Sequence, residues 1–242
     1  MRRFRYWLIL LFSFLALTGQ EKKEVLDYEI SYLGIPLLDM KLTWVEDDTS
    51  VMVSYNNTTK PLINVIVPVH NIYRVHFMKS DYKPLNWAKT VREGNMHFRL
   101  SAYRSQNGKQ VSYSNGFDLA FPEDGFTVFS ATHYLASRAH DENAFPSIIS
   151  VFIDGELWQV TANRYDSGRP HPDHKVAGDE VLIEAKLSYV GGRPLLEKND
   201  ILTDHIAREG SRFLLWVAPD GRYTKAQFGK FPSAVVLRMI NN

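Results

Sequence analysis

The chain has 242 residues and a formal net charge of +1; its 45% hydrophobic, 13% aromatic and 23% charged residues supply a core and exclude an intrinsically disordered chain. It contains no cysteine, which excludes disulfide stapling, thiol nucleophiles and zinc sites with cysteine ligands. The small net charge offers no electrostatic footprint for nucleic acid.

In chain order, Arg2, Arg3 and Arg5 precede an apolar run from Tyr6 to Leu17 and a short polar exit from Thr18 to Gln20. This is the layout of a secretory signal. The run falls short of the roughly 20 residues that a helix needs to cross a bilayer core, so residues 1–20 read as a removable signal, with an uncleaved anchor as the alternative. No cysteine follows the run to carry a diacylglyceryl anchor. Losing the three arginines takes the formal charge from +1 to −2. Residues 21–242 are then expected to form a single mainly-β domain in the periplasm or cell envelope, with no transmembrane span after signal removal.

From residue 27 onward the prevailing signal is period two. Tyr28, Ile30 and Tyr32 alternate with Asp27, Glu29 and Ser31, and Met40, Leu42 and Trp44 alternate with Asp39, Lys41 and Thr43. Alternation of this kind marks strands with one buried face. It recurs in Val51, Val53 and Tyr55; in Met96, Phe98 and Leu100; in Val181 through Tyr189; and in Val235, Leu237 and Met239. Asn107-Gly108 suits a two-residue hairpin, and Asp154-Gly155 and Pro219-Asp220-Gly221 suit turns of the same purpose. Gly191-Gly192-Arg193-Pro194 reads as a further hairpin turn. The apolar run Pro61 to Val69 reads as a buried strand or as a loop covering an opening, and the Pro-, His- and Gly-rich stretch Ser167 to Gly178 as a loop. One segment reads convincingly as helix, Phe126 to Ala139, with Asp124 as its cap. The expected fold class is mainly β, a large curved antiparallel sheet or open barrel with one packed α-helix.

Two end motifs carry a resemblance. Tyr28-Glu29-Ile30-Ser31-Tyr32-Leu33-Gly34-Ile35-Pro36 and Phe213-Leu214-Leu215-Trp216-Val217-Ala218-Pro219-Asp220-Gly221-Arg222 resemble the opening "Y-x-[IV]-S-Y-x-G-[IL]-P" strand and the late "[LI]-W-[VL]-x-x-D-x-R" strand of a large family of exported bacterial proteins, known as a domain of unknown function. Ser130, Tyr134, Leu135 and Arg138 fit loosely the helical segment that the family places between them. The resemblance implies a periplasmic or outer-membrane-facing β-protein with a curved sheet, broadly similar to lipoprotein-carrier folds. It carries over no catalytic residues. Read physically, Gly34 and Pro36 make a sharp turn and Asp220-Gly221 closes a hairpin.

Candidate chemistry is sparse. His171-Pro172-Asp173-His174 has ligand-like side chains but sits between prolines in a loop, and His140-Asp141-Glu142 follows a helix end, where histidine suits the macrodipole without a metal. Asp200, Asp204 and His205 lie in a polar connection that can hold a cation or activate water. Ser80-Asp81-Tyr82-Lys83 matches S-x-x-K by spacing alone, and no G-x-S-x-G elbow occurs. No cofactor or metal site follows, and the expectation is a protein that is not an enzyme.

The aromatic surplus on predicted strands is more informative. Packing against the helix accounts for much of it, yet one helix is a small lid for so many strands, and a curved sheet would keep an apolar concavity. The expected ligand-binding residues are Trp44, Tyr55, Tyr73, Phe98 and Tyr113, and the expected partner is a lipid or acylated envelope component. The alternatives are a structural or assembly protein that contacts envelope proteins through its sheet and, third, a metal-dependent hydrolase using His171, His174 or His140.

Overall fold

The structure, a computed structural model, describes residues 21–197, 199–229 and 234–240. The predicted signal at 1–20 lies outside the described residues.

Fifteen strands form one sheet: β1 (Lys22–Tyr32), β2 (Ile35–Glu46), β3 (Ser50–Thr59), β4 (His70–Met78), β5 (Pro84–Glu93), β6 (Met96–Arg104), β7 (Gln110–Tyr113), β8 (Asp118–Ala120), β9 (Phe126–Thr127), β10 (Ser147–Ile153), β11 (Glu156–Tyr165), β12 (Val181–Gly192), β13 (Arg212–Val217), β14 (Tyr223–Phe228) and β15 (Val235–Met239). Their order is β8-β7-β6-β5-β4-β3-β2-β1-β15-β14-β13-β12-β11-β10-β9. Almost every strand therefore pairs with its neighbour in sequence, and the first and last strands meet in the middle, with Tyr28 opposite Met239 and Ile30 opposite Leu237. All pairings are antiparallel except the short β9–β10 contact. The result is the mainly-β, large open antiparallel sheet expected from the period-two pattern.

The alternation sets the inner face. Tyr28, Met40, Leu42, Val51, Val53, Tyr55, Tyr73, Val75 and Phe77 on β1–β4 are buried in one cluster with Val160, Ile183, Leu215, Tyr223 and Leu237 from β11–β15. Cross-strand pairs such as Tyr55–Tyr73 and Val53–Val75 stack these side chains in register. Inside lies α2 (Val128–Ser137), whose Ala131, Leu135 and Ala136 join the same cluster. Two shorter helices, α1 (Pro61–Asn64) and α3 (Ile201–Ile206), lie in the β3–β4 and β12–β13 connections.

Among the described residues the sheet does not close by hydrogen bonds. Its two flanks are instead joined by a second cluster, in which Leu100 and Ala102 of β6, Val111 and Tyr113 of β7 and Phe121 pack against Phe152 of β10 and Leu195 of the β12–β13 connection.

Several local expectations change. The helix starts at Val128 rather than Phe126, and Thr127 rather than Asp124 caps it: the Ser130 amide donates to Thr127 Oγ1 while the Thr127 amide donates to Ser130 Oγ. Phe126 and Thr127 are taken by parallel pairing with Val151 and Phe152. At Asn107-Gly108 the connection runs from Ser105 to Lys109 and only Gly108 has positive φ (+71°), because Asn107 Oδ1 accepts from the Lys109 amide and holds a longer turn. Gly191 and Gly192 extend β12 against Leu157 and Glu156 and make no hairpin turn. Pro61 to Val69 is not a buried strand: it holds α1, and Leu62 and Val65 are each 87% exposed. Leu33 (φ +53°) and Gly34 (φ +79°) make the first turn, while Pro36 lies within β2. At Asp154-Gly155 both residues have positive φ (+45° and +99°), as a two-residue turn between Ile153 and Glu156 requires.

Candidate functional site

The period-two rows of the inner face carry polar residues on three adjacent strands. On β3 the row Val51, Val53, Tyr55 continues to Asn57; on β4 Asn71 precedes Tyr73, Val75 and Phe77; on β5 Lys89 sits between Trp87 and Val91. Register brings them together, with Asn57 opposite Asn71 and Tyr73 opposite Lys89. All of Asn57, Asn71 and Lys89 are buried.

Buried polar groups demand partners, and the far flank supplies them. Lys89 Nζ donates to Asp154 Oδ2 and Asn199 Oδ1 and lies 2.9 Å from Asp200 Oδ2. Asp200 is fully buried and also accepts from the Tyr73 hydroxyl (2.7 Å), the Thr203 amide (3.0 Å) and the Thr203 hydroxyl (2.8 Å), so the same carboxylate caps α3. Burial works against the charged form of Lys89, but the Asp154 and Asp200 carboxylates outweigh it and hold the ammonium pKa above its ordinary value. Burial likewise works to raise Asp200, and Lys89 with its hydrogen bonds outweighs it and lowers the carboxyl. A lysine in this state keeps its proton at neutral pH and cross-links β5 to the Asp154 turn and the Asp200 cap.

Next to the cluster, Asn71 Nδ2 donates to Glu93 Oε1 and to the Tyr73 hydroxyl, and the Ile201 amide donates to Glu93. Burial raises the Glu93 carboxyl, opposed by the Asn71 hydrogen bond. These groups form the polar corner of an otherwise apolar cavity of about 100 Å³, walled by Ile30, Met40, Val128, Phe129, Leu202, Ile206, Phe213, Phe228 and Leu237. The strand ends that line it, Ile30 of β1, Val235 of β15 and Phe228 of β14, place it at the end of the barrel that carries the β1–β2 turn and α1. Leu33, Ile35, Leu62, Val65 and Ile66 are all exposed there.

The opposite end opens as a cleft of about 630 Å³ lined by Lys22, Glu24, Trp44, Glu46, Tyr82, His140 and Arg222, with His133 and Tyr223 at its floor. His133 projects from α2 between Trp44 (ring centroids 5.0 Å), Phe77 (5.8 Å) and Tyr223 (5.8 Å), and its Nε2 bonds the Tyr55 hydroxyl at 2.7 Å. Burial alone pushes its pKa down to about 3, so it is neutral at pH 7. This aromatic layer separates the two ends.

The five expected ligand-binding residues are thus dispersed. Tyr55 and Tyr73 line the apolar cavity. Trp44 lines the opposite cleft, its Nε1 donating to Glu46. Phe98 lies under the Lys89 ammonium at 5.3 Å, and Tyr113 packs edge-on against Trp87 at the junction of the two flanks. The wide concavity inferred from strand number is largely occupied by α2 and the inward aromatics. Asn57, Asn71, Lys89 and Glu93 were not singled out from sequence, although polar residues in phase with apolar rows on neighbouring strands were a visible signal. Asp200 reads from sequence only as part of a polar connection.

The other candidates have structural partners. The Ser167–Gly178 loop packs on the outer face, where His171 Nδ1 accepts from the Asp173 amide, His171 Nε2 lies 3.6 Å from Glu184, and Trp216 Nε1 donates to the Lys175 carbonyl. His140 Nε2 donates to the Ala218 carbonyl, and Lys83 Nζ to the Glu123 carbonyl. His205 Nδ1 bonds the Ile201 carbonyl within α3. Among the described residues, no three acidic or histidine side chains converge as metal ligands, and no helix is long and apolar enough to cross a membrane.

No protein-family model and no curated protein matches the chain. Among solved structures it is similar to a β-barrel-like protein of domain of unknown function DUF1849 from Brucella abortus, with a TM-score of 0.52 and 9% identity over 91% of this chain and 98% of that one. At that identity the likeness shows the fold alone: a β-barrel-like protein, consistent with an uncharacterised β family.

Proposed function

We propose that this chain is an exported cell-envelope protein, without catalytic activity of its own, that holds the apolar chain of a lipid or acylated partner in the cavity at the α1 end of the barrel. The observation that carries the reading is that cavity: about 100 Å³ with walls of Ile, Leu, Met, Val and Phe. Apolar walls favour apolar occupants, and at about 100 Å³, against the roughly 150 Å³ of an engineered cavity that holds one benzene, the space seats the end of an apolar chain with the rest outside. The exposed aliphatic side chains at the same end give a lipid an apolar approach. The arginine-led apolar segment at residues 2–17 supports export.

The test is native mass spectrometry of protein expressed with its N-terminal segment and purified gently from the envelope fraction. Added mass that organic solvent extracts as lipid supports the reading, provided that Ala226→Leu, which fills the cavity from β14, removes it. A bare polypeptide mass, also after incubation with envelope lipids, overturns it. That outcome favours a structural or assembly role, in which the exposed Leu62, Val65 and Ile66 face another envelope protein.

A further inference from the structure

Residues 61–67 form an apolar tip at one end of the sheet. Leu62 and Val65 are each 87% exposed, Ile66 is 77% exposed, and no residue of α1 is buried. The foot of the tip is fixed, because the Lys60 amide donates to the Leu37 carbonyl and the Gly94 amide to the Pro68 carbonyl, both at 2.9 Å. The first of these bonds sets it beside the start of β2, where Leu33 and Ile35 are also exposed.

Composition points to a lipid surface rather than a protein. Protein interfaces are enriched in aromatic residues, Met and Arg, and their hot spots are poor in Leu and Val, whereas this tip offers Leu, Ile and Val. Within residues 61–67 the one polar side chain is Asn64, and none is charged. Lys60, at the foot, is paired with Glu29 (3.1 Å) and Asp39 (2.8 Å), so its charge is answered within the protein. The backbone agrees, since peptide groups that enter hydrocarbon must be satisfied internally. The amides of Ile63 and Asn64 donate to the Lys60 carbonyl, those of Val65, Ile66 and Val67 donate to the Ile63 carbonyl, and Pro61 and Pro68 have none. No row of free amides is left there to extend a partner's sheet.

We propose that this tip docks the protein on a bilayer, inserting Leu62, Val65 and Ile66 among the upper acyl chains without requiring anionic lipid. The four residues of α1 rise about 6 Å, within the roughly 5–10 Å reached by interfacial helices. Ile201, which lines the cavity, donates its amide to Glu93, and Glu93 bridges Val69 at the end of the same connection. A docked tip thus brings the cavity to the lipid, but the docking does not depend on the cavity.

Because the chain has no cysteine, a single introduced thiol can carry an environment-sensitive nitrobenzoxadiazole dye. Val65→Cys places it on the tip, and Asp48→Cys places it in the β2–β3 turn at the far end of β2. With protein from the envelope fraction and phosphatidylcholine vesicles, the dye at 65 should brighten and shift to the blue, and the dye at 48 should not. Leu62→Ser with Ile66→Ser, both at exposed positions, should weaken this partitioning about a hundredfold. Phosphatidylglycerol or added salt should change it by less than about twofold. No response, or equal responses at the two positions, overturns the docking. So does a response at 65 that grows with protein concentration in the absence of vesicles, since a second copy then covers the tip. Vesicle binding with a bare native mass defeats the proposed function alone, and a lipid adduct without vesicle binding defeats the docking alone.

Discussion

Replacing Asp200 by alanine tests whether the buried ion cluster ties the two flanks of the sheet. The variant removes a fully buried carboxylate that accepts from Lys89, Tyr73 and two groups of Thr203. Breaking a buried pair from one side costs about 3–5 kcal/mol, and the lower end applies because Asp154 stays beside Lys89. Loss of the cap on α3 adds about 1 kcal/mol, for a total near 4 kcal/mol against the roughly 5–15 kcal/mol of a typical domain. At about 2–4 °C per kcal/mol for a chain of this size, Tm should fall by roughly 8–16 °C. Asp200→Asn keeps an acceptor for Tyr73 and the cap and should lose about half as much. Far-UV circular dichroism melts at pH 7 measure both. Since the Asp200 pKa is depressed in the fold, its contribution is present above the ordinary carboxyl value of about 3.9 and is lost as pH falls through the lower folded value. A Tm change below about 3 °C for Asp200→Ala, on the same scale, would refute the cross-link.

Two further outcomes follow from single side chains. His133 has a folded pKa of about 3, below its unfolded value of about 6.5, so between the two the unfolded chain binds more protons and stability falls as pH drops. From pH 7 to pH 5 the loss should be about 2 kcal/mol by urea titration, and His133→Phe should flatten the slope; an unchanged slope refutes the assignment. Gly155→Ala places a Cβ 2.4 Å from the Arg193 carbonyl oxygen at φ +99°, while Gly34→Ala meets only the φ penalty at +79° with nothing within 4 Å. The Gly155 variant should therefore lose more than the roughly 1 kcal/mol of the Gly34 variant, and equal urea midpoints would refute the close packing of that turn on the β12–β13 connection.

The sheet was legible because its strands are long and half-buried: Met40, Leu42 and Trp44 against Asp39, Lys41 and Thr43 admit one pleat and one inward face. The helix was legible in kind but not at its start, since whether Phe126 and Thr127 join α2 or pair with β10 is decided by Val151 and Phe152, distant in sequence. Gly192 looked like a turn because glycine pairs usually are; in the fold its Cα lies so near Gly155 that an added Cβ would come within 2.3 Å of the Gly155 carbonyl oxygen. That contact depends on a strand separated from it by the whole Ser167–Gly178 loop. The cavity proposed to hold a ligand was legible in part. Tyr55 and Tyr73 followed from aromatic strands, whereas Lys89, in phase with Trp87 and Val91, breaks an apolar row, and its partners Asp154 and Asp200 lie too far away in sequence to be read beside it.

The placement of that lysine also explains how an open sheet keeps one arrangement of its flanks. The seam formed by Leu100, Tyr113, Phe121, Phe152 and Leu195 supplies burial, which is non-directional and tolerates sliding. Lys89, held at once by the Asp154 turn and the Asp200 cap, tolerates none, because displacement leaves a buried charge unpaired. The same connection that carries Asp200 provides Ile201, Leu202 and Ile206 to the cavity wall. The seam and the cavity therefore share one connection, and on the proposed function a variant that releases Asp200 should lose lipid binding before it loses the sheet.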